Sequence, residues 1–322
     1  MNILICSVGR HVQIVKYFKE EFNKVGGKVV AVGNEPTSPA LYHADFHEIV
    51  PRVDHPSYIS ILKGICHKYE IQGIVTFIDP ELQVLAELKK EFNDAGIQVF
   101  VSDKRVIDIC NDKYVTYQFL VENNIPSVPT YVDFESVIEE VKNGKWKYPL
   151  IIKPKEGNAS IGVQKISNRT ELELYWHRKQ NLIAQPFIEG DEYNVECYID
   201  IINGKTTNLF SKRKINMRGG LTDKSRVIKD CELNELIEHL MERLKPTGPI
   251  DIDLFKTEEG YIISEINPRF GAGYPYAHRM GENFIESMIN NLNGISNPSY
   301  TKYLGTYDEG NTLIRYDHFA IL

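Results

Sequence analysis

The stretch EINPRFGAGY (265–274) closes a strand with an acid, an amide and an arginine, then runs into glycines. Strand alternation puts Glu265 and Asn267 on one face and Ile266 on the other. Upstream, GPIDIDLFKTEEGYIISEINPRF (248–270) repeats the pattern, with Asp251 and Asp253 alternating with Ile250, Ile252 and Leu254. A hairpin turn centred near Glu258–Glu259 sets Asp253 across from Glu265 and Asp251 across from Asn267, within a residue or so. Carboxylates sharing a face repel unless a cation lies between them. Oxygen ligands with no His or Cys nearby select a hard ion, Mg²⁺ or Mn²⁺, typically held by one or two carboxylates plus substrate phosphates. The plainer reading is a solvated edge strand, and the isoleucines alternating on both strands argue against it. Pro268 ends the pairing and leaves Arg269 beside the acids, suited to holding a phosphoryl group bidentately.

If phosphates complete the metal shell, the chain must supply cations and backbone N–H groups for them. YPLIIKPKEGNASIGVQKI (148–166) offers both: an apolar strand carries Lys153, and EGNASIG follows as a loop of small residues. No G-K-[ST] closes that loop and a strand follows it, so it is not a Walker A motif.

The elements that must position these groups fall into two parts. NILICSV (2–8), KVVAVG (28–33), GIVTFI (73–78) and IQVFV (97–101) read as buried strands. Helical stripes lie between them: Val12, Val15, Phe18, Phe22 and Val25, then Leu82, Leu85, Leu88 and Phe92. Strands alternating with helices predict an open parallel sheet of the doubly wound class. Its first turn, SVGRHVQIV, has a single glycine and no G-x-G-x-x-G, which excludes the dinucleotide fingerprint. Residues 103–125 read as helical turns around CND and then a longer helix. From 148 onward short β runs dominate, with helices near 169–179 and 232–244, so the rear is an antiparallel α+β arrangement.

Together these segments resemble the ATP-grasp superfamily of carboxylate–amine ligases over nearly the whole chain, most closely the carbamoyl-phosphate-synthetase large-subunit branch. The resemblance implies a Rossmann-like pre-grasp domain (1–102), linker helices with a small lid subdomain (103–184), and a metal- and substrate-binding subdomain (185–322), the last two clasping ATP. ICNDKYVTYQFLVENNIPSVPTY (109–131) is similar to the segment in which Lys113 contacts ATP phosphate, and Lys153 matches the second nucleotide lysine. The 156–162 loop, with Gly157, Ser160 and Gly162, matches the flexible loop over the phosphates. In LIAQPFIEGDEYNVECYID (182–200), Gln185, Phe187 and Ile188 would border adenine and Glu192 would take the ribose hydroxyls; many members carry Glu where this chain has Gln185. Asp253, Glu265 and Asn267 fall on the family's metal positions, for two Mg²⁺ ions or Mn²⁺, and Arg269 on its phosphate-binding arginine.

The cationic run SKRKINMRGGLTDKSRV (211–227) matches the segment reaching the γ-phosphate and the acceptor. Arg213 or Lys214 is expected at phosphate and Arg218 or Arg226 at the substrate carboxylate, with Gly271 and Gly273 shaping the acceptor pocket. His11, His278, Arg10 and Glu81 receive no role.

The expected activity is ATP-dependent ligation of a small carboxylate, an amino acid or peptide-like acid, to an amine through an acyl phosphate. Two alternatives stay open: carbamoyl-phosphate-type phosphorylation of bicarbonate or carbamate, and a non-catalytic ATP-binding regulator. A net charge of −7 over 322 residues argues against bulk nucleic-acid binding. The five scattered cysteines, the absence of a basic leader and the absence of a long apolar run point to a soluble cytoplasmic protein. The sequence does not set the oligomeric state; a homodimer is the commonest symmetric assembly.

Overall fold

The computed structural model describes residues 1–157, 161–218, 221–300 and 307–316. Strands β1 (Asn2–Cys6), β2 (Lys28–Gly33), β3 (Phe46–Ile49), β4 (Ile71–Thr76) and β5 (Gln98–Val99) form a parallel sheet in the order β3-β2-β1-β4-β5. Helices α1 (Val12–Lys24), α2 (Tyr58–Lys68) and α3 (Asp79–Asp94) connect them. Ile3, Leu4, Ile5 and Cys6 are all fully buried, because helices cover both faces of a parallel sheet. Ile3 and Ile5 pack with Val15, Phe18 and Phe22 of α1, while Leu4 and Cys6 pack with Leu62 of α2 and Leu82 and Leu85 of α3. Both expected helical stripes are therefore core, except that Val25 lies past the end of α1 and is exposed. β3 and α2 were not legible: FHEI is a mostly exposed edge strand with no clean alternation.

Helices α4 (Lys104–Asn111) and α5 (Lys113–Glu122) meet at Asp112, whose carboxylate caps α5 by accepting from the Tyr114 N–H at 2.8 Å. After α6 (Phe134–Lys142), strands β6 (Leu150–Pro154) and β7 (Gln164–Ile166), helix α7 (Arg169–Trp176) and strand β8 (Leu182–Pro186) build a small antiparallel sheet ordered β7-β6-β8. Val137, Ile138 and Leu172 of α6 and α7 close its core.

The remaining elements are β9 (Asp191–Ile199), β10 (Thr206–Arg218), β11 (Leu221–Ile228), α8 (Cys231–Leu244), β12 (Gly248–Thr257), β13 (Gly260–Asn267), α9 (Tyr274–Arg279), α10 (Phe284–Leu292) and β14 (Thr312–Ile314). Their six strands form an antiparallel sheet ordered β13-β12-β9-β10-β11-β14. Its apolar residues split by alternation. Val195, Cys197, Ile250 and Ile252 pack on Leu233, Ile237 and Leu240 of α8. Tyr198, Phe210 and Val227 face the other way and join one cluster with Phe18, Phe22, Phe270, Tyr274 and Phe284. That shared cluster fixes the N-terminal sheet against the large sheet. Among the described residues no helix is long and apolar enough to cross a membrane.

Glu282, between α9 and α10, is only 5% exposed and accepts a hydrogen bond from Asn208 Nδ2 at 3.0 Å. Burial pushes its carboxyl up from 4.5 to about 7. The folded chain therefore holds this proton more tightly than the unfolded one. The associated stability is complete below pH 4.5, is lost as pH rises through 7, and amounts to at most about 3 kcal/mol. Glu282→Gln is expected to match the wild type in denaturant unfolding at pH 4.5 and to exceed it at pH 8. An equal difference at both pH values would rule out this linkage.

Candidate active site

Alternation on four adjacent strands brings one set of polar side chains to the face opposite α8. β9 contributes Asn194 and Glu196, β10 Lys212 and Lys214, β12 Asp251 and Asp253, and β13 Glu265 and Asn267. The hairpin register pairs Asp253 with Glu265 and Asp251 with Asn267, as its turn implies. A register break after Asp253 keeps Ile263 and Ile266 on the apolar side.

Each acid of this face has a partner. Lys214 Nζ lies 2.8 Å from Asp253 Oδ1 and 3.6 Å from Glu192 Oε2. Lys113 Nζ, at the start of α5, lies 3.2 Å from Glu265 Oε1. Asn194 Nδ2 donates to Asp251 Oδ1 at 2.6 Å and to Asp253 Oδ1 at 2.9 Å, and Asn267 Nδ2 donates to Asp251 Oδ2 at 3.2 Å. Behind them Lys212, fully buried, donates to Asn194 Oδ1 and sits 3.3 Å from Glu196 Oε1. Burial and the neighbouring Glu196 and Asp253 charges push the Asp251 carboxyl up to about 8. Burial acts the same way on Asp253, but Lys214 and Asn194 more than offset it and hold that carboxyl below its usual range.

Among the described residues no three His, Cys, Asp or Glu side chains already stand as a metal site. Asp253, Glu265 and Asn267 instead supply two carboxylates and an amide oxygen, now neutralised by lysine ammoniums. That donor set fits a hard divalent cation whose other ligands come from phosphate and water.

The small sheet delivers the next cations. Lys153 on β6 is desolvated, which lowers its pKa, while Glu265 opposes and Lys113 adds to the effect. Among the described residues it has no carboxylate within ion-pair distance. Lys113 also donates to the Gly157 carbonyl at 2.7 Å, and its backbone N–H to the Lys155 carbonyl at 2.9 Å, so the glycine loop docks on the α5 N-terminus. A cleft runs between these parts, lined by Asp79, Asn111, Lys113, Gly157, Glu265 and Asn267. Gly162 has φ of +79°, and a Cβ there would sit 3.1 Å from Pro154 Cγ, so the loop needs glycine at that point. Ser160 lies outside the described residues.

At the crossing from β8 to β9 stand Gln185, Phe187, Ile188 and Glu192, between the two sheets. Gln185 is buried and its Nε2 donates to Thr130 Oγ1 at 2.9 Å, leaving Oε1 as the acceptor edge of the amide. Lys165 stands over the half-exposed Phe187 ring, 3.7 Å from its centroid.

Several residues expected here are placed differently. Arg213 pairs with Asp191 at 2.9 Å on the face opposite Lys212 and Lys214, because a strand inverts at every residue. Its cross-strand partner Arg226 shares that outer face, and Arg218 stands exposed at the end of β10. Lys212 and Lys214 of the cationic run join the acids of this face. Gly271 and Gly273 have a different reason to be glycine. A Cβ on Gly271 would meet Asp251 Oδ1 at 2.5 Å, and one on Gly273 would meet Lys212 Nζ at 2.6 Å, so both press on the buried ionic cluster. Arg269 is partly buried, with Nε 2.6 Å from Asp79 Oδ1 of α3 and Nη2 3.2 Å from Asn267 Oδ1. Glu81 belongs to the N-terminal core, accepting from the Tyr58 and Thr76 hydroxyls, and His278 stacks on Tyr17.

Asn194, Glu196 and Asp79 were not singled out from sequence. YNVEC does alternate polar and apolar residues as the hairpin does, so the first two carried a usable signal. Asp79 carried none, being 190 residues from its partner.

A family model described as an ATP-grasp domain matches residues 110–273, and a PylC-like N-terminal domain model matches residues 3–100. Formate-dependent phosphoribosylglycinamide formyltransferase of Prochlorococcus marinus is 20% identical over 275 residues, covering 77% of this chain and 65% of its own length. Phosphoribosylamine–glycine ligase of Halalkalibacterium halodurans is 22% identical over 304 residues, covering 84% of this chain and 68% of its own length. The chain thus spans about two thirds of these relatives, and less than that of the first. The biotin carboxylase domain of Hydrogenobacter thermophilus 2-oxoglutarate carboxylase, solved with MgADP and bicarbonate, superposes with a TM-score of 0.74 at 15% identity, covering 97% of this chain and 73% of its own. The L-amino acid ligase from Bacillus licheniformis gives 0.69 at 18% identity, covering 97% and 78%. At these identities the likeness is one of fold.

Proposed function

Because this chain belongs to the ATP-grasp family of ligases, we propose that it activates a small carboxylic acid with Mg-ATP and joins it to an amine. The observation that carries this reading is the convergence of Lys113, Lys153 and Lys214 on the Asp253–Glu265–Asn267 face. In this reading residues 1–102 are the pre-grasp domain, 103–184 the linker helices and lid, and 185–322 the metal and substrate subdomain.

Gln185 Oε1 faces the adenine amino group, Phe187 and Ile188 border the base, and Glu192 takes the ribose. Lys113, Lys153 and the N–H groups of the glycine loop hold the phosphates. Asp253, Glu265 and Asn267 would hold magnesium, which supplies charge neutralisation to the phosphates when bound. An acceptor carboxylate oxygen attacks the γ-phosphorus, the bond to the β-phosphate oxygen breaks, and ADP leaves with the electron pair. Lys214 and Arg269 offset the charge that develops. The amine then attacks the acyl carbon, phosphate departs, and the nitrogen loses a proton. The chain's part is positioning and electrostatics, and no protein nucleophile is needed.

The test is magnesium-dependent phosphate release from ATP, screened over pooled amino acids, small carboxylic acids and bicarbonate with and without amines. Stimulation by an acid–amine pair is the expected result. Stimulation by bicarbonate alone would move the activity to the carboxylase side of the family, and failure to bind ATP would overturn the reading.

A further inference from the structure

Behind the side chains proposed to hold the ion lies a deeper polar layer. Lys212, Asn194 and Asp251 are buried, whereas Asp253, Glu265 and Asn267 are partly exposed. The three buried residues interrupt a face that continues along β9, β10 and β11 into Tyr198, Phe210 and Val227, which are core. The reaction proposed above uses none of the three.

The chemistry of their hydrogen bonds fixes which way each amide points. An ammonium only donates, so the Asn194 oxygen must face Lys212. The Asn194 nitrogen is thereby turned to Asp251 Oδ1 at 2.6 Å and to Asp253 Oδ1 at 2.9 Å. Lys214 also approaches Asp253 on Oδ1, at 2.8 Å, so among the described residues Oδ2 of Asp253 takes no hydrogen bond. Asn267 is fixed from both sides. A guanidinium, too, only donates, and Arg269 Nη2 meets Asn267 Oδ1 at 3.2 Å. The Asn267 nitrogen then donates to Asp251 Oδ2 at 3.2 Å. Asp251 thus gives one oxygen to each amide and links the two. Lys212 is itself held: Glu196 Oε1 lies 3.3 Å from its Nζ, and a Cβ on Gly273 would stand 2.6 Å from that nitrogen.

We propose that Lys212, Asn194 and Asp251 are positioning residues for the ion site. Lys212 orients Asn194, Asn194 leaves Asp253 Oδ2 for the ion, and Asp251 holds Asn267 with its oxygen presented as a ligand. The proposal rests on the ligase reading above and deepens it by naming the residues through which the buried ionic cluster acts. A flipped Asn267 would turn N–H groups toward a cation that binds only oxygen. Buried ion pairs exchanged for apolar side chains of similar volume are often neutral for stability, so cohesion of the sheet alone does not call for this cluster. Hydrogen-bond partners behind metal ligands orient them, and their loss weakens the metal.

The experiment is a Mg²⁺ titration of the thermal unfolding midpoint of the full chain at saturating ADP, read as the Mg²⁺ concentration that gives half of the shift. Asp251→Asn keeps the shape but offers a single acceptor oxygen to two amides, so either Asn267 or Asn194 loses its partner. The half-effect concentration is expected to rise about ten-fold or more, with the shift given by ADP alone unchanged. Combining Asp251→Asn with Asn267→Asp restores one donor and one acceptor at that contact and keeps the net charge. Measured against Asn267→Asp alone, the added Asp251→Asn is expected to change the half-effect concentration by less than about two-fold. A role through charge alone gives the same rise in both backgrounds. An equal rise in both, or no rise with Asn267 in place, overturns the proposal. Asn194→Ser removes the amide that reaches Asp253 and carries the same ten-fold expectation. It decides the matter where Asp251→Asn does not fold, and an unchanged half-effect concentration there overturns the proposal equally. A wild-type chain stabilised by ADP, to which Mg²⁺ adds nothing, removes the ion site and its positioning residues. Absence of any ADP effect removes the ligase reading itself.

Discussion

Glu265→Gln lowers the kcat of magnesium-dependent phosphate release from ATP by about 10²–10³-fold, and does so without unfolding the chain. Glu265 is the acid of the β12–β13 ribbon that meets both the α5 lysine and the lid. Its Oε1 lies 3.2 Å from Lys113, which in turn holds the Gly157 carbonyl at 2.7 Å. An amide keeps the shape and one oxygen but removes the charge that a divalent ion needs. The Glu265 side chain is 28% exposed, and the neutral variant leaves Lys113, 11% exposed, without its carboxylate partner. Lys113 keeps its bond to the loop. Turnover measured across a magnesium titration checks this. A variant within ten-fold of the wild type at saturating magnesium would remove Glu265 from the metal set.

Lys153→Met is expected to act with opposite signs on stability and on binding. In the ligand-free chain burial disfavours the Lys153 ammonium, and no described carboxylate lies within ion-pair distance of it. An apolar side chain of similar length relieves that cost, as replacing buried ions often does. The unfolding midpoint without ligand should therefore rise. Phosphate is the partner the ammonium lacks, so removing it should weaken ATP binding by about 10–100-fold and lower kcat as the developing charge loses a neighbour. Thermal unfolding with and without MgADP reads both effects at once. A variant that is destabilised without nucleotide, yet gains the full shift on adding it, would make Lys153 a structural residue. Lys113 provides the contrast: it is already paired with Glu265, so its loss should lower the ligand-free midpoint.

Much of this site was legible before the fold was known. The face of the hairpin and its register followed from alternation of Asp251 and Asp253 with isoleucine, and from a turn at KTEEG that fixes which residues oppose. The helical stripes of α1 and α3 and the strands beneath them were equally plain, because a period of 3.6 or 2 is a local property of the chain. Arg213 and Arg226 show where the same rule was left unapplied. Counting alternate residues from Lys214 places Arg213 on the outer face, and the β10–β11 register sets Arg226 opposite it; reading 211–227 as one basic cluster ignored that.

What the sequence determined by itself was the inventory: three carboxylates and an amide on one ribbon, lysines on separate elements, and a glycine loop between two strands. Tertiary structure alone decided how those charges are paired. Lys113 meets Glu265 because α5 packs beside β13, and Arg269 meets Asp79 because the N-terminal sheet docks on the large one through Phe18, Phe270 and Phe284. Lys212 and Glu196 are buried because Gly271 and Gly273 lie directly on them. Periodicity speaks for the few residues on either side of a position. Which ammonium neutralises which carboxylate depends on surfaces that come together only when separate sheets pack.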